Sequence, residues 1–106
     1  MNENFAVEPA VLRAKLVQET AQIAWSELAK FYAAGAVVMV QPQLDLIDVA
    51  YAMSQDQSTQ VASWLAEGLV QRVSDSQALS WHEQQATLWA VVVSPWVLVQ
   101  ALPQHS

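Results

Sequence analysis

The side chains best suited to chemistry in this chain are its two histidines and the acids near them. His82 and Glu83 open an HExx sequence, the start of a zinc motif that needs a second histidine four residues after the first. Ala86 stands at that position, and the other histidine, His105, is the penultimate residue. We therefore predict no metal site and place His82 on the solvated face of a helix, with a weak catalytic role left open.

The remaining polar residues show no arrangement typical of catalysis or nucleotide binding. Asp45, Asp48 and Asp56 would suit a hard cation, but they lack EF-hand spacing and are more simply explained as helix caps. Gly35 and Gly68 are the only glycines, which excludes a glycine-rich phosphate loop, and no serine stands in a GxSxG sequence. We predict no cofactor, and because no catalytic motif is found, the residues favour a protein that is not an enzyme.

The five tryptophans are the aromatic residues that could take part in ligand binding. Each falls on an apolar face, so core packing is the default interpretation. Some of them could also line a pocket for a ring-shaped ligand. The candidate ligand-binding residues are Trp25, Trp64, Trp81 and His82.

The amino-acid composition limits the classes of partner that the protein can bind. The chain of 106 residues is 54% hydrophobic and only 13% charged, with a formal net charge of −6. Four cations are too few for a phosphate-binding stripe, so we expect no nucleic acid and no membrane surface as partner. The absence of cysteine and of a signal-peptide pattern favours the cytoplasm. Much apolar side chain with little charge favours a homodimer, and a monomer with a neutral polar surface is the alternative.

Periodicity predicts one α+β domain over residues 9–102, with tails at 1–8 and 103–106. A first helix begins at Pro9 and carries its apolar face through Leu16 to Ile23, and a second contains Trp25 and ends at Gly35. Two more helices follow in residues 46–55 and 58–67, with Val61, Trp64 and Leu65 of the second pointing inward, and a short one lies in 76–85. Strands are predicted at 36–40, 70–74 and 88–101, forming a small, mainly antiparallel sheet packed against the helices.

The apolar run that ends the chain is the clearest strand signal. It is rich in β-branched residues and tryptophan and is interrupted once, at Ser94-Pro95, where the strand must bulge, bend or lie at an edge because proline has no amide hydrogen. We treat Val92 as buried in this strand. An exposed edge would invite pairing with another copy. The predicted interface includes either the neighbouring helix faces or the second half of the strand, namely Trp96, Val97, Leu98, Val99 and Gln100.

The middle of the chain follows the order of a winged helix-turn-helix: strand, helix, polar turn, helix, strand. In DNA-binding proteins of that class the second helix enters the major groove, and lysines and arginines contact phosphates. Here that helix, STQVASWLAEG, has no cation and one acid. We predict a winged-helix-like topology without DNA binding.

Segments spread over residues 12–100 together resemble the bacterial domain-of-unknown-function family numbered 2288, with PWVLVQ the most specific piece. The resemblance implies a small single-domain bacterial protein and carries no established activity, substrate, cofactor or functional residue. The segments are LRAKLVQETAQIAWSEL at 12–28, FYAAGAVVMV at 31–40, LDLIDVA at 44–50, Asp56, Trp64, and TLWAVVVSPWVLVQ at 87–100.

The sequence does not identify the function, and two hypotheses are compatible with it. The first is a non-catalytic interaction or structural module that self-associates through apolar or edge-strand surface. The second is a small-molecule-binding protein or enzyme with a tryptophan-lined pocket near His82. A cleft with convergent polar groups would favour the second, and a flat apolar patch across a two-fold axis would favour the first.

Overall fold

The computed structural model describes residues 8–103 and confirms the α+β class. Its helices and strands alternate along the chain, and several follow one another with almost no loop. The elements are α1 (Pro9–Glu19), β1 (Ala21–Ala24), α2 (Trp25–Ala33), β2 (Val37–Val40), α3 (Leu46–Ser54), α4 (Ser58–Ala66), β3 (Val70–Arg72), α5 (Asp75–Gln84), β4 (Thr87–Val93) and β5 (Trp96–Ala101).

The five strands form one sheet in the order β1-β4-β5-β2-β3. Every neighbouring pair is antiparallel except β2 and β5, which run parallel. β5 is therefore the central strand, hydrogen-bonded along both sides, and β1 and β3 are the edges. The prediction of a mainly antiparallel sheet is confirmed.

Helices cover both faces of this sheet, because alternate side chains of each strand point to opposite sides. On one face, which we call the α2 face, α2 and α5 bury residues such as Leu28, Trp81, Leu88 and Val99. On the other, the α3 face, α1, α3 and α4 pack over Val91, Leu98 and their neighbours. The apolar composition thus supplies two layers of core around a single sheet.

Strand β1 was not predicted. The periodicity extended the first helix to Ile23, whereas α1 ends at Glu19 and residue Thr20 is already extended. The Thr20 hydroxyl donates to the Leu16 carbonyl at 2.6 Å and so satisfies one of the last helical acceptors. Ile23 then pairs with Leu88 of β4 and packs against the α2-face core, a contact that no local pattern reveals.

The apolar run at the end of the chain is a hairpin of two strands rather than one long strand. Ser94 and Pro95, joined by a cis peptide bond, form the turn, and residues 88–93 of β4 pair with residues 96–101 of β5. The expectation that Val92 is buried is wrong, because its side chain is 60% exposed on the α2 face. Its neighbour Val91 points to the α3 face and is buried.

The helix caps agree with the predictions in part. Asp45 caps α3 by accepting from the amides of Ile47 and Asp48, as expected. Asp56 does not cap α4, whose N-cap is Gln57 without a side-chain bond. Ser74 caps α5 by accepting from the Gln77 amide.

Helix α4 contributes less to the core than predicted. None of its side chains is fully buried, and Leu65, expected to point inward, is more than half exposed. The β2-α3-α4-β3 order of the predicted winged-helix topology is present, with α5 following β3. Within residues 8–103, no helix combines the length and apolarity needed to cross a bilayer.

Candidate functional site

The predicted aromatic pocket is assembled in part. The rings of Trp25 and Trp81 lie together on the α2 face, with centroids 5.1 Å apart and planes tilted by 54°. His82 and Glu83 follow Trp81 on α5 and border the same concavity, which has a volume of about 720 Å³. Trp64 lies on the opposite face of the sheet, packed against the other core, so it cannot contribute.

This concavity lacks the features that make a pocket reactive. Trp25 and Trp81 are only 3% and 5% exposed, so their rings belong to the core and offer little surface to a ligand. His82 and Glu83 are exposed, and no polar or charged residue within 8–103 is fully buried. In the same part of the chain, no three histidine, cysteine or acidic residues cluster as metal ligands.

The predicted interface on β5 is mostly inside the protein. Val97, Leu98 and Val99 are buried, because β5 lies between β4 and β2 with helices on both faces. Trp96 is half-buried beneath the Arg72 guanidinium, whose carbon lies 5.4 Å from a ring centroid of Trp96. These four residues leave little surface for a partner.

Gln100 has an internal role. Its side-chain amide donates to the carbonyls of Gln41 and Leu44, at 3.0 and 2.8 Å. These two bonds fix the loop between β2 and α3 against the end of the central strand. Gln100 is therefore occupied in holding that loop.

One polar pair was missed by sequence reasoning. The Tyr32 hydroxyl donates a short hydrogen bond to the Asp75 carboxylate, linking the end of α2 to the start of α5. This bond raises the pKa of Tyr32 above its ordinary value, and desolvation and the negative charge of Asp75 act in the same direction. The two residues are 43 positions apart, so no spacing in the sequence could have indicated the contact.

The outer edge of the sheet is formed by β1. No strand within residues 8–103 pairs with the outer side of β1, and β1 covers β4 only from Thr87 to Ala90. Residues 91–93 of β4 therefore also lack a neighbour on that side. We call this border, β1 with residues 91–93, the outer edge.

The hydrogen-bond pattern shows which backbone groups of β1 face outward. The Trp25 amide donates to the Ala86 carbonyl at 2.8 Å, which makes residues 25 and 86 a hydrogen-bonded pair. Such pairs alternate along an antiparallel ladder, so Ala21 and Ile23 also direct their backbone groups toward β4. The N–H and C=O groups of Gln22 and the N–H group of Ala24 consequently point away from the sheet. The Ala24 carbonyl, at the N-cap of α2, accepts the first hydrogen bond of that helix.

An apolar groove runs along α2 beside this edge. It has a volume of about 500 Å³, with Ile23, Ala90 and Val92 of the sheet on one side and α2 on the other. Phe31, 38% exposed, and Val92, 60% exposed, are its most accessible apolar side chains. Glu27 and Lys30 of α2 also line it and give it both signs of charge. This α2 groove is therefore an exposed apolar surface bordered by charged side chains of both signs.

The fold and these surfaces define a small α+β domain with helices on both sides of a five-stranded sheet. The chain belongs to the family described as "Protein of unknown function (DUF2288)", whose model matches residues 11–101. It is similar to the protein in "NMR solution structure of PA1075 from Pseudomonas Aeruginosa", at 40% identity over 99% of this chain and 97% of that chain, with a TM-score of 0.78. No curated protein matches significantly. The family predicted from the sequence is confirmed, and neither match indicates a specific function.

Proposed function

We propose that the protein is a non-catalytic interaction module that associates with a second copy of itself at the outer edge of the sheet and the adjoining α2 groove. The observation that carries the proposal is the exposure of the apolar Val92 side chain beside the outer edge of the sheet. Val92 is 60% exposed, and the β4 backbone at residues 91–93 has no neighbouring strand within residues 8–103. An open strand edge next to apolar side chains is the kind of surface that pairs with another chain.

The charges along the groove suit a copy of the same surface. Glu27 and Lys30 are one helical turn apart on α2. A two-fold axis places the same patch of both copies in contact, so the acid of one copy can lie beside the base of the other, in both directions. The Lys30 ammonium lies 5.2 Å from the Phe31 ring centroid, next to the exposed aromatic surface.

The expected energy of this contact is modest. Burying the exposed part of one valine contributes roughly 1 kcal/mol, hence about 2 kcal/mol for the two copies. Strand pairing and Phe31 add to that, while the net charge of −6 on each copy opposes association. A dissociation constant of 1 micromolar corresponds to about 8 kcal/mol, so burial of Val92 supplies only a part of it, and strand pairing and Phe31 must supply the rest.

Sedimentation equilibrium from 1 to 300 micromolar tests the proposal, with Val92→Lys as the disruptive variant. Leu79→Lys is the matched control, because Leu79 is 56% exposed on α5 and does not line the groove. We expect wild type and Leu79→Lys to dimerise alike and Val92→Lys to dimerise at least tenfold more weakly. A wild-type mass fixed at 11.7 kDa throughout, or equal dimerisation of the two lysine variants, would overturn the proposal.

The proposal also assigns no nucleic-acid partner, because α4, the second helix of the predicted helix-turn-helix, carries no charged residue at all. The cytoplasmic location remains a prediction. We do not propose the small-molecule alternative, since no polar group converges on the Trp25–Trp81 rings from a buried position.

A further inference from the structure

Strand β1 has the properties of an edge that can pair with itself. Its sequence, AQIA, contains no charge and no proline, the devices that commonly protect the edges of natural sheets. Its outward backbone groups belong to Gln22 and Ala24, as the ladder with β4 requires. Ala21 and Ala24 are small, so their side chains do not obstruct an approaching strand.

The opposite edge of the sheet differs. Strand β3 has only three residues, and one of them is Arg72. The Arg72 guanidinium is stacked over Trp96 beside that edge. Short length and a positive charge make β3 a poor template for a second strand.

We infer that β1 of a second copy pairs with β1 in antiparallel orientation, with Ile23 opposite Ile23 of the second copy on the two-fold axis. The inference rests on the proposed function and specifies its contact. Gln22 then lies opposite Ala24 of the second copy, and the reciprocal pair forms on the other side of the axis. The two sheets become one continuous sheet of ten strands.

Two independent requirements select this register. Opposed residues in an antiparallel pair share a face of the sheet, so residues on the same face must be matched. Hydrogen-bonded positions must also join residues whose backbone groups point outward, namely Gln22 and Ala24. With Ile23 on the axis both conditions hold, and the Ala24 amide of each copy donates to the Gln22 carbonyl of the other copy, which gives two hydrogen bonds related by the axis.

The alternative register, with Gln22 on the axis, leaves the two isoleucines unpaired. It would place Ala24 opposite Thr20 of the second copy. The Thr20 amide already donates to the Val17 carbonyl at 3.2 Å, so that position has no free donor. Only the Ile23 register joins the isoleucines, whose side chains approach most closely at a position without backbone hydrogen bonds.

Two variants at one position test the strand pairing. Gln22→Pro removes an outward amide without removing a hydrogen bond to β4, and Gln22→Ala keeps that amide while removing the same side chain. Because the axis duplicates the change and proline is disfavoured in a strand that is paired on both sides, we expect Gln22→Pro to weaken dimerisation roughly 10- to 100-fold. Gln22→Ala should dimerise like wild type. Circular dichroism confirms that each variant is folded.

Cysteine cross-linking tests the register, since the chain contains no cysteine. In the inferred dimer, the Cα atoms of Ile23 and its copy are about 4.5 Å apart, within disulfide range, so Ile23→Cys should cross-link under mild oxidation. Gln22 and its copy are about 8 Å apart, so Gln22→Cys should not. Cross-linking through Gln22→Cys and not Ile23→Cys would overturn the register.

The outcomes separate this inference from the proposed function. If wild type dimerises, Val92→Lys weakens the dimer and Gln22→Pro does not, the proposed function stands and strand pairing through β1 is wrong. If wild type is a monomer at every concentration, both are wrong. Hydrogen exchange of the backbone amides provides a second test. The Ala24 amide should become protected only at protein concentrations at which the dimer forms, whereas the Ile23 amide should be protected at every concentration.

Discussion

Two adjacent valines of β4 should respond in opposite ways to the same substitution. Val91 is 1% exposed and packs among the α3-face residues, whereas Val92 is 60% exposed on the α2 face. Val91→Asp forces a carboxylate without a partner into an apolar layer, which costs roughly 2–7 kcal/mol in addition to about 1.5 kcal/mol of lost apolar burial. Val92→Asp leaves its carboxylate in water and should cost no more than about 1 kcal/mol.

The loss at Val91 is comparable to the whole stability of a small domain, about 5–15 kcal/mol. At roughly 4–8 °C per kcal/mol for a chain of this size, Val91→Asp should lower the Tm by at least about 15 °C or leave the chain unfolded. Val92→Asp should lower it by less than about 8 °C. The measurement is thermal unfolding by circular dichroism at low micromolar concentration, where the proposed dimer contributes little.

Equal Tm shifts for the two variants would refute the reasoning, as would a larger shift for Val92→Asp. Either result would mean that β4 does not present alternate residues to two faces as described. Val92→Thr serves as a control, because it keeps the β-branched shape and adds only a polar atom at an exposed position.

Three further contacts give measurable predictions. Asp75→Asn should return the pKa of Tyr32 toward its ordinary value, as measured by an absorbance titration of the phenolate. In the wild-type protein, the stability that this pair contributes is present below pH 10 and is lost as the pH rises through the raised pKa of Tyr32. Gln100→Ala leaves two loop carbonyls without their donor and should lower the free energy of unfolding in urea by about 1–3 kcal/mol. Asp45→Ala removes the α3 cap and should cost about 1 kcal/mol in the same assay.

The features predicted correctly from the sequence are those with local causes. Asp45 caps α3 because its side chain reaches amides two and three residues away, a pattern visible in any window of the sequence. Gly35 follows the end of α2 with a φ of 76°, a conformation that glycine adopts at little cost. The β-branched residues near the end of the chain indicated strands, and strands are present.

Strand β1 was missed because its cause is distant. The four residues AQIA continue the helical periodicity of Leu12 and Leu16, so a local reading extends α1 through them. The structure instead pairs Ile23 with Leu88, 65 positions later (88 − 23 = 65). A four-residue strand between two helices has too little sequence of its own to show a period of two.

The candidate site residues are only partly brought together, for a related reason. Trp25, Trp64 and Trp81 look alike as apolar residues at helical spacing, yet the sheet separates Trp64 from the other two. Likewise, the predicted interface on Trp96 and its neighbours left open whether the terminal strand was an edge. Because the strand order is not encoded locally, the sequence could not show that β5 is central.

The observed strand order and the two-sided core also change what the apolar composition implies about self-association. The excess of apolar residues over charged ones first suggested a partner, but a sheet covered by helices on both faces absorbs most of that excess in two core layers. The exposed apolar side chains that remain are mostly scattered, and scattered exposure is normal for a monomer. What distinguishes the outer edge is that Val92 coincides there with unpaired, uncharged strand backbone. The proposed association therefore depends on β1, the strand that was not predicted from the sequence. It depends on the backbone geometry of Gln22 and Ala24 more than on hydrophobic composition.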